Sequence, residues 1–285
     1  MNSKKIIIGT ANFGMKYGLS NKNIHPKEIK KIFNYCKKNG IKTLDTAPGY
    51  KNAFEHLRKN EIKNWDIISK IPSIPKNTKK ISSFIYKIFF STLKKIKVSK
   101  IHTILIHDEK DILDVGRGIK IVEILNSLKK EKLVKRIGFS IYDPYKVKRI
   151  IDNYDFDVLQ CPYNLFDKRL IDSGLSRLLK IRKIKIHLRS IFLQGLLLKN
   201  KKNIPIQFKN NYKIINYYKW LNKNNFSDLK VCLSELNKIE YEKIVIGIND
   251  ASQLKEIIDF KKYSNYATRN FKTENLSLID PRKWS

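Results

Sequence analysis

The chain has 285 residues, 42% of them apolar, and a net charge of +33. It is long enough to bury a sizeable core as one barrel or two small domains. No apolar run approaches the ~20 residues of a membrane-spanning helix. The N-terminus, Met1-Asn2-Ser3-Lys4-Lys5 before Ile6-Ile7-Ile8-Gly9, lacks the apolar core and cleavage site of a secretory leader. Cys36, Cys161 and Cys232 are odd in number and far apart, which fits reduced thiols in a cytoplasmic protein. They make neither a disulfide framework nor a metal site. The charge invites a nucleic-acid reading. Yet only 10 of the 59 basic residues are arginine, and the lysines run from end to end without a basic tail. Lys, Ile and Asn share A/T-rich codons, so solvated helix faces in a compositionally biased chain account for the charge. No specific nucleic-acid partner and no membrane partner is expected.

Eight apolar runs read as strands: Lys5–Thr10, Lys42–Ala47, Asp66–Ile71, Ile101–His107, Val134–Ile141, Phe156–Pro162, Ile184–Phe192 and Lys243–Ile248. Most are rich in Ile and Val with little polar alternation, as in a parallel sheet buried on both faces. Helical patterns lie between them. Pro26–Asn39 carries Ile29, Ile32, Phe33 and Cys36 at spacings of three and four, and stops at Gly40. Thr78–Lys97 and Ile119–Leu133 each place an apolar stripe on one face. Asp143-Pro144 opens another helix with an N-cap and a proline at the first position, and Ser252–Phe260 follows the last strand. Regular strand–helix alternation predicts an α/β protein, and eight strands in a chain of this length predict a (β/α)₈ TIM barrel, a single domain over 1–285. A doubly wound sheet is the alternative, but no G-x-G-x-x-G follows any strand. The polar stretch 199–211 is a plain loop or a substrate-covering one.

In such a barrel, reactive groups gather at the C-terminal strand ends. Three successive runs carry Asp45, Lys70 and His107 there, and Tyr50 lies five residues past the Asp. Singly, each has a structural explanation: a cap, a solvated lysine, a buried histidine. Together they make a carbonyl-reducing set. An ammonium beside a phenol is expected to lower its pKa towards a usable acid, and a carboxylate holds that ammonium charged. A neutral imidazole polarises a carbonyl oxygen.

The sequence resembles the aldo-keto reductases over nearly its whole length. The resemblance rests on Gly9-Thr10-Ala11-Asn12-Phe13-Gly14, Leu44-Asp45-Thr46-Ala47 with Tyr50, Ile68-Ser69-Lys70, Leu105-Ile106-His107 and Gly138-Phe139-Ser140. It continues through Leu159-Gln160-Cys161-Pro162-Tyr163-Asn164, Arg189-Ser190-Ile191-Phe192-Leu193-Gln194-Gly195-Leu196-Leu197, and Ile246-Gly247 with Gln253 and Glu256. It implies a catalytic tetrad of Asp45, Tyr50, Lys70 and His107, with Tyr50 the proton donor to a small-molecule carbonyl substrate. It implies NADPH as cofactor, with NADH open. Ser140 and Gln160 would hold the nicotinamide carboxamide, with Tyr163 close by. Gly9, Thr10, Ala11, Ser190, Phe192, Leu193, Gln194 and Gly195 would run along the cofactor, and Gly247, Asn249, Gln253 and Glu256 would surround its adenosine end.

There are departures. After the Tyr the family usually has Gly and, three positions on, an acid; here Lys51 and Phe54 stand there, with Glu55 displaced by one. Arg189-Ser190 replaces an aromatic-Ser pair, and Gln253 stands where many members have Arg, which weakens 2′-phosphate recognition. The Arg-Ser-x-Phe-Leu-Gln-Gly-Leu form is similar to a bacterial branch associated with surface sugars, a hint of a sugar-derived carbonyl. Two rival functions use the same barrel. A Schiff-base aldolase with Lys70 as nucleophile requires a neutral lysine, which Asp45 opposes. A nicotinamide-binding redox sensor or regulatory barrel would keep the site without turnover.

Overall fold

The computed structural model describes residues 1–19, 21, 23–198, 204–260 and 269–284. Eight parallel strands close into one barrel in sequential order. They are β1 (Ile6–Gly9), β2 (Thr43–Asp45), β3 (Asp66–Ile71), β4 (Ile101–Ile106), β5 (Val134–Ser140), β6 (Val158–Pro162), β7 (Lys185–Arg189) and β8 (Lys243–Gly247). Closure is through β1 and β8, with Ile6 against Ile244 and Gly9 against Gly247. All eight expected strands are present, β3 with the expected bounds and the other seven with shorter ends. Expected β7 reached Phe192, but Ser190 turns to φ 58°, which no strand continues through.

The strand period of two divides the core. One set of side chains packs outward against the helices in the main cluster, among them Ile6, Ile8, Leu44, Ile67, Ile104, Phe139 and Leu159. The alternate set fills the barrel: Ile7, Ile68, Leu105 and Val158 form a separate buried cluster with Val245 packed on it. Two residues further along those strands come Gly9, Lys70, His107, Gln160 and Gly247. An apolar plug therefore supports a polar layer at the C-terminal ends, the layered interior of this architecture.

The helices begin and stop for local reasons. Pro26–Lys38 is capped by His25, whose ring nitrogen accepts from the Lys27 amide, and Gly40 ends it at φ 69°. Val115–Lys130 starts four residues before the expected position. Asp114 caps it by accepting from the Arg117 amide, and of the two glycines near its start Gly118 is required by packing. A Cβ on Gly118 would lie 2.1 Å from the Tyr154 hydroxyl. Asp143-Pro144 opens a 3₁₀ turn, Pro144–Lys146, that runs into Val147–Ile151. Of the loop expected at 199–211, residues 199–203 lie outside the described residues; Ile204 and Phe208 after them are buried.

Candidate active site

The C-terminal strand ends enclose a cavity of about 470 Å³, within the range of small-molecule sites. Its wall includes Asp45, Tyr50, Lys70, His107, Ser140 and Gln160. It also includes Gly9, Thr10, Ala11, Ser190, Phe192, Gln194, Gly195, Gly247, Asn249, Gln253 and Glu256. Two of the expected cofactor residues are not in that wall. Tyr163 is fully buried in the core, and its hydroxyl donates to Glu235 at 3.0 Å; Lys168 covers its ring and pairs with the same carboxylate. Leu193 turns its side chain into the core. A tyrosine ending an apolar strand looks the same whether it faces a ligand or a buried acid, and Glu235 lies 72 residues away.

The reactive groups are hydrogen-bonded in series. Lys70 Nζ donates to Asp45 Oδ1 at 2.5 Å, to the Thr46 carbonyl at 3.3 Å and to the Tyr50 hydroxyl oxygen at 3.4 Å. The Asp45 Oδ2 accepts from Gln160 Nε2 at 2.8 Å. Asp45, Lys70 and Gln160 are each at most 3% exposed, so both charges of the pair are paired and hydrogen-bonded inside the protein. Because Lys70 donates to the phenolic oxygen, the phenol's own proton is free to point into the cavity.

Two titrations define the chemistry. Burial raises the Tyr50 hydroxyl well above its ordinary range, and Asp45 and Tyr142 push in the same direction; Arg189 opposes them. The expectation that Lys70 lowers this pKa is therefore corrected. With Asp45 at 2.5 Å from the ammonium, the phenol faces a nearly neutral pair. His107 is pushed down to about 4, first by burial and next by Lys70, with Arg189 adding and Asp45 and Asp108 opposing. Its imidazole is neutral at physiological pH.

Tyr50 is held by a tight turn. A Cβ on Gly14 would lie 2.0 Å from the Tyr50 carbonyl oxygen and 2.2 Å from the Ala53 nitrogen, so the helix Ala11–Gly14 can seat this turn only with glycine at its end. The next residue, Lys51, sits at φ 43°, a left-handed backbone that favours glycine. Phe54 is buried in the core, while Glu55 is exposed and pairs with Lys59 at 2.6 Å.

Several wall residues carried no assigned role in the sequence. Tyr142 lies two positions past Ser140, just beyond β5, and Arg189 two past His187, at the end of β7, so strand periodicity carried to and just past the strand ends finds both. Tyr17 and Asp228 reach the wall from a loop and a helix remote in sequence, and nothing local marks them. The loops after β1 and β7 meet over the cavity, where the Leu19 amide donates to the Gln194 carbonyl at 3.1 Å. Among the described residues no cluster of metal-ligating side chains occurs, and no helix is long and apolar enough to cross a membrane.

A closed barrel with a buried carboxylate–lysine–tyrosine series and a neutral histidine in one strand-end cavity defines an enzyme class, and comparison gives the family. The aldo/keto reductase family model matches residues 5–272, and the chain belongs to that family. Membership makes it an oxidoreductase of carbonyl chemistry in general. The fold is similar to that of the glycerol dehydrogenase of Gluconobacter oxydans, with TM-score 0.70 and 18% identity, covering 97% of this chain and 92% of that one. It is also similar to an aldo-keto reductase of Bacillus halodurans in its holo form, with TM-score 0.68 and 16% identity, covering 89% and 85%. No curated protein matches the chain by sequence.

Proposed function

We propose that the protein is an NAD(P)H-dependent reductase that takes an aldehyde or ketone to the alcohol, with Tyr50 as general acid. The observation that carries this is the Asp45–Lys70–Tyr50 series facing a neutral His107 in one cavity.

The wall fits a nicotinamide nucleotide. The Ser140 hydroxyl makes no hydrogen bond among the described residues, and Gln160 commits its amide nitrogen to Asp45 while keeping its carbonyl for a ligand. Those two would hold the carboxamide. Gly195 and Gly247 leave bare backbone, and a Cβ on Gly247 would meet nothing within 4 Å. Ser190, Gln194 and Gly195 would follow the phosphates, with Leu193 contributing backbone only, and Asn249, Gln253 and Glu256 would border the adenosine. When bound, the nicotinamide supplies the hydride.

The chain's own groups manage the proton. His107, held neutral, donates an N–H to the carbonyl oxygen and polarises it. Tyr50 keeps its proton in the resting site and releases it only as that oxygen gains alkoxide character, so its stabilisation is spent on the transition state. The Lys70 ammonium at 3.4 Å then supports the developing phenolate, and Asp45 keeps Lys70 charged and fixed.

The resemblance implies NADPH, but the charges of the described wall favour NADH. The helices Asp228–Glu235 and Ala251–Asp259 contribute Asp228 and Glu256 to it and no cation, and Gln253 spends its carbonyl oxygen on the Asn249 amide. A 2′-phosphate finds no fork there, whereas a ribose hydroxyl finds a carboxylate to donate to. Titrating both nucleotides by tryptophan fluorescence, then assaying a panel of aldehydes and keto sugars, tests the reading. It predicts saturable binding, tighter for NADH, and nucleotide oxidation with carbonyl present. Failure of both nucleotides to bind contradicts it.

A further inference from the structure

Among the described cavity-lining residues there are two permanent cations, Lys70 and Arg189. Lys70 is neutralised by Asp45. Arg189 has no carboxylate within ion-pair distance among the described residues. It reaches from the end of β7 past β6 to the end of β5, donating through Nη2 to the Ile141 carbonyl at 2.9 Å and weakly through Nη1 to Ser190 Oγ at 3.4 Å. Both partners are neutral, and the rest of the fork's donors stay unspent.

The guanidinium is held in place from behind. Its carbon lies 3.8 Å from the Tyr142 ring centroid, and that of Arg282 lies 3.7 Å from the same centroid. Two guanidiniums cannot share one face at that distance, so the ring is sandwiched between them. Arg282 is in turn gripped by Asp280 through Nε at 2.9 Å and Nη2 at 2.7 Å, so the nearby acid is committed to the outer arginine. Arg189 is left as a fixed positive charge beside the reaction centre with no ion pair of its own among the described residues, although it also feels Asp280 at longer range. Its field is felt there: it opposes protonation of His107 and counters the upward shift of Tyr50.

We infer that Arg189 anchors an oxyanion of the substrate, a carboxylate or a phosphate carried near the carbonyl that is reduced. A preset guanidinium fork matches such a group geometrically and gains most in a site that excludes water. The inference rests on the carbonyl-reductase reading and narrows its substrate to an anionic oxo compound.

The test compares matched pairs under cofactor saturation: 4-carboxybenzaldehyde against benzaldehyde, and glyceraldehyde 3-phosphate against glyceraldehyde. Wild type is expected to prefer an anionic member in kcat/KM by about 10- to 100-fold, the range of a charge-assisted bond. Arg189→Met and Arg189→Gln are expected to remove most of that preference, chiefly through KM, with Arg189→Lys keeping part. The pair that responds distinguishes carboxylate from phosphate. Calorimetry with benzoate and with inorganic phosphate on the nucleotide-bound protein reads the anchor independently of turnover, and the same variants are expected to weaken it by a similar factor. An unchanged anion preference with unchanged anion affinity in Arg189→Met overturns the inference. So does a variant whose only change is in the KM for the nucleotide. If wild type reduces none of the four compounds, the reductase reading fails, while calorimetry still decides the anchor.

Discussion

The two ends of the barrel hold similar charged residues in opposite arrangements. At the N-terminal end, Glu242 accepts from Arg136 at 2.8 Å and sits 2.9 Å from His187 Nε2, while Lys243 donates to Thr43 Oγ1 at 3.0 Å. Burial works against the Glu242 charge, yet hydrogen bonds from His187 and Arg136 and their charges hold it down at about 2. Arg136 and His187 enclose the Glu242 carboxylate, and Lys243 is held by neutral oxygens. At the C-terminal end the Asp45–Lys70 pair is just as closed, but Tyr50, His107, Ser140 and Arg189 around it face the cavity. The floor's carboxylate is enclosed by its own partners; the mouth closes one pair and leaves its neighbours open to the cavity.

The largest expected effect breaks the pair at the mouth. Lys70→Met leaves Asp45 buried and unpaired, at a cost of about 3–5 kcal/mol by denaturant unfolding, with carbonyl reduction lost. If stability is unchanged, the pair is not closed as described.

Glu242→Gln tests the floor. It is expected to lower stability by on the order of 2 kcal/mol near neutral pH without altering nucleotide affinity. Since the folded pKa of Glu242 lies below its unfolded value, its contribution is complete above about pH 4.5 and fades as pH falls towards 2. The stability gap between wild type and variant should close over that window. A constant gap contradicts the assignment.

The mouth differs in its pH response. His107 has a folded pKa of about 4, below its unfolded value of 6.5, so the fold loses stability as pH falls from 6.5 towards 4. The acid limb of kcat/KM should likewise fall near 4, and a limb near 6.5 would mean the imidazole is not held neutral as described. The smallest effect is local: Lys51→Gly relieves the left-handed backbone beside Tyr50 and should raise stability by about 0.5–1 kcal/mol. A loss would show that the Lys51 side chain contributes more than its strain removes.

The barrel and most of its mouth were legible because period-two strands place every second residue inward, so Asp45, Lys70, His107, Ser140 and Gln160 could be counted off the strand ends. What escaped depended on partners distant in sequence. Glu235 draws Tyr163 into the core, and the Asp280–Arg282–Tyr142 stack fixes Arg189. The sign of the Tyr50 shift was hidden for a similar reason: a lysine alone lowers a phenol's pKa, but burial in the assembled cavity raises it, with Asp45 adding to the rise. Phe54, at the position where the family usually has an acid, is a buried core residue outside the cavity wall.

The central claim is that Tyr50 gives up the proton. The most direct measurement is single-turnover carbonyl reduction by nucleotide-saturated Tyr50→Phe, beside its nucleotide affinity and melting temperature. The account predicts a rate lower by about 10²- to 10⁴-fold with affinity and melting temperature unchanged. A variant that reduces carbonyls at the wild-type rate would contradict it.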